Sequence, residues 1–281
     1  GSNQPCWGQL DCSCNGLRQS PINIPRRVEV DASLPDLCMD QSSTWLSGTI
    51  GNNGHSITAK LSPGGVQGSS AFGGPLKGTF KIEQFHFHFA SSGYGSEHAI
   101  RGQKAAAEMH IVMFNKRYRN VAEALKHCQG LAVVGVLLSS DRRHADARNA
   151  WGEDPHNTQR FWIQLIQELS QHRTCRHDNR WTSINKRLKQ LLPANYHRDY
   201  YTYEGSLTTP PCTESVQWIV MKKPFYVPAR YFRALGAIQD SHHHRMSGNR
   251  RNIQDLNGRK VRQPTSSNRS PSCPRRRSWE N

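Results

Sequence analysis

The chain has 281 residues, 35% of them hydrophobic, and a net charge of +16. That length allows one large domain or two small ones around a sizeable core. No apolar run approaches the roughly 20 residues of a membrane-spanning helix, so no transmembrane helix is expected within this sequence.

In chain order, residues 1–18 form an irregular segment rich in Cys and Gly. It begins Gly1-Ser-Asn-Gln, polar from the start, so no signal peptide is visible. Residues 19–262 have steady globular composition without an internal repeat or linker, and are read as one domain. Residues 263–281 are rich in Pro, Ser and Arg and are expected to be disordered. From Arg245 to Asn281 there are ten Arg or Lys and two Asp or Glu, a net +8. This end reads either as a solvated tail or as a contact for an acidic partner, such as a membrane surface, a glycan or a mineral-associated polyanion. Nucleic acid is not expected, because no basic motif interleaved with aromatics is present.

Short alternating runs dominate the middle. Gly78–Phe89, Ala105–Phe114, Leu131–Leu138 and Ser215–Met221 read as strands. Thr158–Leu169 has helical spacing, and Asn120–Cys128 and Ile184–Leu192 are shorter helix candidates. Long strands with few helices predict a β-dominated mixed fold. The eight cysteines (Cys6, Cys12, Cys14, Cys38, Cys128, Cys175, Cys212 and Cys273) include no CxxC pair. An even count without metal spacing suits disulfides in an oxidising compartment. One glycosylation sequon, Asn268-Arg-Ser270, lies in the tail.

The first long strand carries the chemistry. Phe85, Phe87 and Phe89 share one face and want a core, while Gln84, His86 and His88 share the other. On the next strand Glu108, His110 and Val112 share a face. If the strands are neighbours, His86, His88 and His110 supply three imidazoles to one ion. Three neutral imidazoles with an open fourth position suit a catalytic zinc site rather than a closed structural one. Gln84 and Glu108 each stand two residues before a histidine on its own face, placed to orient the ring.

With these residues in view the chain resembles the alpha carbonic anhydrases. Gln84-Phe-His-Phe-His88, Gly95-Ser-Glu-His98 and Ala106-Ala-Glu-Met-His110 resemble that family's zinc-site strands. Gln19-Ser-Pro-Ile-Asn-Ile24, Asn52-Asn-Gly-His55 and Tyr203-Glu-Gly-Ser-Leu-Thr-Thr-Pro-Pro-Cys-Thr-Glu214 resemble three further signatures, in family order, from about Trp7 to Val261.

The resemblance implies a central, mostly antiparallel sheet of about ten strands with short peripheral helices and zinc in a conical cleft. It implies zinc-hydroxide-catalysed interconversion of carbon dioxide and bicarbonate. Thr208 would accept a hydrogen bond from the attacking hydroxide and Glu97 would fix the Thr208 hydroxyl, a preset arrangement that needs no reorganisation. Val112, Val133, Leu207, Val216 and Trp218 would line the carbon dioxide pocket, with Thr209 beside bicarbonate. His55 would relay the proton to buffer. Asn249 would hold His88 through its carbonyl, and His98 would be a buried structural residue bonded to Glu108 and Tyr203. Cys14 and Cys212 match the disulfide of secreted and membrane-bound members, which implies an extracellular setting. Gln9 and Thr58 depart from the family pattern near the water path and imply an altered rate or inhibitor profile. His242-His-His244 reads as a solvated run or a metal trap. Two alternatives accompany this reading: a mineral- or matrix-associated protein in which catalysis supports biomineralisation, and a non-catalytic carbonic-anhydrase-like binding module.

Overall fold

The computed structural model describes residues 4–39, 45–62, 70–144, 146–174, 181–266 and 272–273. Cys175, the Asn268 sequon and most of 263–281 lie outside the described residues.

Thirteen strands among the described residues form one mixed sheet. Ten follow a single path: β1 (Glu29–Asp31), β2 (Trp45–Asn52), β3 (Ile57–Leu61), β4 (Leu76–Phe89), β5 (Ala107–Asn115), β6 (Leu131–Ser139), β7 (Thr182–Arg187), β8 (Tyr200–Gly205), β9 (Val216–Met221) and β10 (Arg262–Pro264). Their order across the sheet is β7-β2-β3-β4-β5-β6-β9-β8-β10-β1. Neighbours run antiparallel except β6 with β9 and β10 with β1. Leu37–Met39, Ser70–Gly73 and Phe225–Tyr226 pair at the flanks of this path. The expected β-dominated fold is the one observed.

The two sheet faces have different fates, as the period-two alternation requires. Phe85, Phe87 and Phe89 from β4 join Met109, Ile111 and Met113 from β5 in the main core. The helix Pro155–Leu169 covers that core with Trp162, Leu165, Ile166 and Leu169. Asp154 caps this helix by accepting the amides of His156 and Asn157, and Pro155 fits the first turn, where no intrahelical N–H bond is lost. The opposite face carries a smaller cluster around Val112, Val133, Tyr203, Val216 and Trp218. The site lies beside this second cluster.

Two helix expectations change. Ile184–Leu192 splits into β7 and a single turn, Leu188–Leu191. Pairing with β2 over Thr182–Arg187 decides the first half, burying Ile184 and leaving Ser183 and Asn185 exposed. Asn120–Cys128 keeps only the turn Val121–Ala124, capped by the Asn120 side chain.

The basic end is also more engaged than its composition implies. Arg262–Pro264 is a strand crossing the boundary expected after 262. Cys273 is disulfide-bonded to Cys38, and the Ser272 amide donates to Asp36. Arg251 is buried, Arg259 donates to the carbonyls of Gln19 and Glu204, and Arg262 pairs with Asp31. Three of the ten basic residues from 245 onward, Arg251, Arg259 and Arg262, are therefore engaged by the fold.

Candidate metal centre

Sheet register brings the three histidines together. His110 on β5 stands opposite His86 on β4, and Glu108 stands opposite His88. His88 and His110 are buried and His86 is part-buried. One metal-binding atom from each lies within 4.8 Å of the others.

The outer nitrogen of each ring meets an oxygen acceptor. His86 Nδ1 lies 3.0 Å from Gln84 Oε1, His88 Nδ1 lies 2.9 Å from the Asn249 carbonyl, and His110 Nε2 lies 2.8 Å from Glu108 Oε1. Carbonyl and carboxylate oxygens accept only, so those nitrogens carry the hydrogens. That tautomer leaves bare lone pairs on His86 Nε2, His88 Nε2 and His110 Nδ1. Two of these, His86 Nε2 and His88 Nε2, sit 3.0 Å apart. Lone pairs at that separation repel unless a cation lies among them.

The electrostatics agree. Burial, followed by repulsion from the neighbouring imidazoles, pushes His86 well below the ordinary imidazole range, and the same causes take His88 down to about 3. His86 and His88 are thus neutral at physiological pH, the form in which an imidazole can bind a metal. Nearby, Glu97 Oε2 is buried without a hydrogen-bond partner, 4.0 Å from His110 Nδ1. Burial raises the Glu97 pKa, more than His110, the Thr208 hydroxyl and the Arg251 amide lower it. Thr208 is near enough to act on this carboxylate, but Oε2 has no partner within strict hydrogen-bond limits. Three inward lone pairs beside an orphaned carboxylate oxygen make a donor set that fits Zn2+. His98, Glu108 and His110 form a second grouping with metal-competent atoms, but its atoms already hydrogen-bond to one another.

That grouping is a brace. Glu108 Oε1 lies 2.7 Å from His98 Nδ1, and Oε2 accepts the His98 amide at 2.8 Å. The Tyr203 hydroxyl bridges His98 Nε2 at 2.7 Å and Ser20 Oγ at 2.9 Å. Burial opposes the charge of Glu108, but His98 and His110 outweigh it and hold the carboxyl well below its usual range. Gly135, paired opposite His110, makes room: a Cβ there would lie 2.8 Å from Glu108 Oε1.

Asn249 does more than hold His88. Its Oδ1 accepts the Phe89 amide at 2.8 Å, and its Nδ2 donates to the carbonyls of Phe87 (2.8 Å) and His55 (3.1 Å). One side chain thereby ties the end of β4 to the His55 turn. His55 itself is exposed. Thr58, opposite His86, accepts from Asn53 Nδ2 at 3.1 Å. Val112, Val133, Val216 and Trp218 share the second cluster, with Leu207 packed against it. Thr208 is buried and Thr209 exposed at the start of the loop that ends at Cys212. A disulfide joins Cys212 to Cys14.

The structure adds residues that the sequence reading missed. The Arg251 amide donates to Glu97 Oε1 at 2.6 Å. Its guanidinium donates to Gln19 Oε1 (2.8 Å) and to the carbonyls of Ser20 (2.9 Å) and Cys14 (3.4 Å). Lys104 Nζ donates to the carbonyls of Ser96 (2.8 Å) and Glu97 (2.9 Å). Both residues fix the Glu97 segment, and neither stands in a motif.

Comparison with known proteins agrees with this site. The profile of the eukaryotic-type carbonic anhydrases matches residues 2–265. Carbonic anhydrase 7 of Homo sapiens is 35% identical over 263 residues, covering 91% of this chain and 92% of that protein. Carbonic anhydrase 3 of Bos taurus is 33% identical over 237 residues, covering 84% and 83%. Carbonic anhydrase 3 of Mus musculus is 34% identical over 265 residues, covering 91% and 93%. With this match across nearly the whole chain, and three imidazoles poised around one point, the protein belongs to the eukaryotic-type carbonic anhydrase family of zinc enzymes, which hydrate carbon dioxide reversibly.

Proposed function

We propose that His86, His88 and His110 hold the zinc, and that Thr208, Glu97 and His55 serve the reaction around it. The observation that carries this is the convergence of three bare imidazole nitrogens, each fixed from behind by an oxygen acceptor. Zinc, when bound, lowers the pKa of a coordinated water and so supplies hydroxide near neutral pH. The chain supplies everything else. Gln84, Asn249 and Glu108 hold the ring tautomers. Glu97, its backbone carbonyl held by Lys104 and its Oε1 by the Arg251 amide, is available to accept a hydrogen bond from the Thr208 hydroxyl, which leaves the Thr208 oxygen to accept from the nucleophile. Val112, Val133, Leu207, Val216 and Trp218 offer apolar contact to carbon dioxide, and Thr209 lies toward solvent for bicarbonate. His55, exposed and tied through Asn249 to the strand bearing His86 and His88, relays the proton to buffer. Thr58 and Gln9 alter the water path rather than abolish it.

An extracellular setting is the second part of the proposal. Two disulfides, Cys14–Cys212 and Cys38–Cys273, support it, because such bonds persist in oxidising compartments. No helix among the described residues is long and apolar enough to cross a membrane. The division into residues 1–18, 19–262 and 263–281 is kept with its last boundary softened, since Arg262–Pro264 extends the sheet across it and Cys273 is bonded to Cys38, and a role at a mineral or matrix surface stays secondary to catalysis. Stopped-flow carbon dioxide hydration near neutral pH, with and without a zinc chelator and an aromatic sulfonamide, tests the function. Hydration abolished by both is expected. Folded, zinc-loaded protein without activity would overturn the proposal in favour of a binding module.

A further inference from the structure

We propose that the outward face of the β7 edge binds an acidic polysaccharide. The strand β7 ends the sheet, with β2 as its only neighbour on the ordered path. Leu46 and Ile50 of β2 and Ile184 of β7 point into the main core. The alternate residues therefore face outward: Trp45, Ser47 and Thr49 on β2, and Ser183, Asn185 and Arg187 on β7.

Aromatic and cationic groups sit together at both ends of this face. The Arg187 guanidinium carbon lies 4.5 Å from the ring centroid of Trp45 and 4.5 Å from that of Trp151. Lys189 Nζ lies 5.6 Å from the Trp151 ring. Trp45 and Trp151 are each 41% exposed. At the other end Trp181 lies against Gly51, where an added Cβ would be 2.8 Å from the ring, and Lys60 Nζ sits 4.4 Å from the Trp181 centroid. Six residues separate Trp181 from Arg187, about 20 Å along an extended strand. Between the ends the surface is polar and short-chained, with Ser47 Oγ donating to Asn185 Oδ1 at 2.9 Å.

Among the described residues, no ion pair neutralises the cations of this face: no carboxylate lies within 4.0 Å of Lys60, Arg187 or Lys189. Among the described residues, Glu153 accepts from the Asn149 and Gln190 amides and Glu168 pairs with Lys186. An arginine held against two indoles offers a planar, restrained donor fork that suits a sulfate or carboxylate. The indoles offer flat apolar surface to sugar rings, and the hydroxyl and amide row offers them hydrogen bonds. The pattern calls for alternating flat apolar and anionic groups on one linear chain, which an acidic polysaccharide presents. The chain's net charge of +16 would steer such a polymer. Gly51, against which Trp181 lies, pairs with Thr58, which pairs with His86. A polymer on this face would therefore lie beside the catalytic cleft, about three strand spacings or 14 Å from the His86 strand.

The test measures binding of a labelled heparin decasaccharide to the full chain. A neutral dextran oligomer and an oligothymidylate of matched charge serve as comparisons, with hydration kcat/KM recorded in parallel. Heparin is expected to bind at least about tenfold tighter than either comparison. R187Q/K189Q should lose about tenfold or more of that affinity, and W151L should weaken heparin while keeping every charge. R187K, which keeps the charge but not the fork, should fall between and covers the case in which R187Q/K189Q fails to fold. R275Q/R276Q/R277Q should bind within about threefold of the parent. Hydration should be unchanged throughout. Unchanged heparin affinity in R187Q/K189Q or W151L, loss confined to the tail variant, or equal binding of oligothymidylate would each overturn the proposal.

Discussion

Replacing Glu108 by Gln tests the brace behind the metal centre. The carboxylate accepts three N–H groups: the His110 ring at 2.8 Å, the His98 ring at 2.7 Å and the His98 amide at 2.8 Å. Glutamine is nearly isosteric but brings only one acceptor oxygen. If its NH2 takes the Oε2 position, it meets the His98 amide donor to donor, at about 1–3 kcal/mol for an unsatisfied buried group. If it takes the Oε1 position, both rings must shift their hydrogens. His110 would then carry its hydrogen on Nδ1, the nitrogen facing His86 and His88, and cease to be a ligand. Either route weakens metal binding by about 10–100-fold, or about 1.4–2.7 kcal/mol. Competition against a chromophoric chelator at pH 7.5, paired with thermal unfolding of the metal-free variant, separates lost affinity from lost fold. A folded Glu108→Gln variant with zinc affinity within about threefold of the parent would refute the reasoning.

Three further outcomes follow from other parts of the structure. Gly135→Ala should weaken zinc binding in the same direction, because its Cβ would press on Glu108 Oε1 from 2.8 Å; unchanged affinity in the chelator assay would contradict this. Metal-free protein should lose stability as pH falls below about 6.5, because His86 and His88 resist protonation when folded but not when unfolded. The unfolded chain then binds more protons, so the urea midpoint should drop between about pH 6.5 and pH 5, and a flat or rising midpoint there would count against neutral buried rings. Cys14 and Cys212 close a loop of 198 residues, for which chain entropy sets a ceiling of about 5 kcal/mol. C14S/C212S should lower the denaturant midpoint and also kcat/KM, since the bridge anchors the loop bearing Thr208; parental values for both would dismiss that role.

The half of the site built on alternation was legible in the sequence. Period two separates Phe85, Phe87 and Phe89 from Gln84, His86 and His88, and the same count on β5 puts Glu108 and His110 on one face. What alternation cannot give is the identity of neighbours. Arg251 reaches Glu97 across 154 positions, and its charge looked like part of a solvated end. Gly135 matters only because β6 pairs with β5 in one register. The Cys38–Cys273 bond likewise depends on where the chain returns. Ile184–Leu192 shows the limit of periodicity itself. Ile184, Leu188, Leu191 and Leu192 fit helical spacing, yet the backbone partners offered by β2 claim the first half as strand. Local pattern sets which side chains want burial, and long-range pairing decides what they meet.

The central claim is that three specific imidazole nitrogens close on one zinc ion. Anomalous scattering from a crystal of the zinc-loaded protein, recorded on both sides of the zinc edge, tests it most directly. A single strong peak is predicted about 2.0–2.1 Å from His86 Nε2, His88 Nε2 and His110 Nδ1. A peak among His98, Glu108 and His110, at the His242–His244 turn alone, or nowhere ordered would contradict the account.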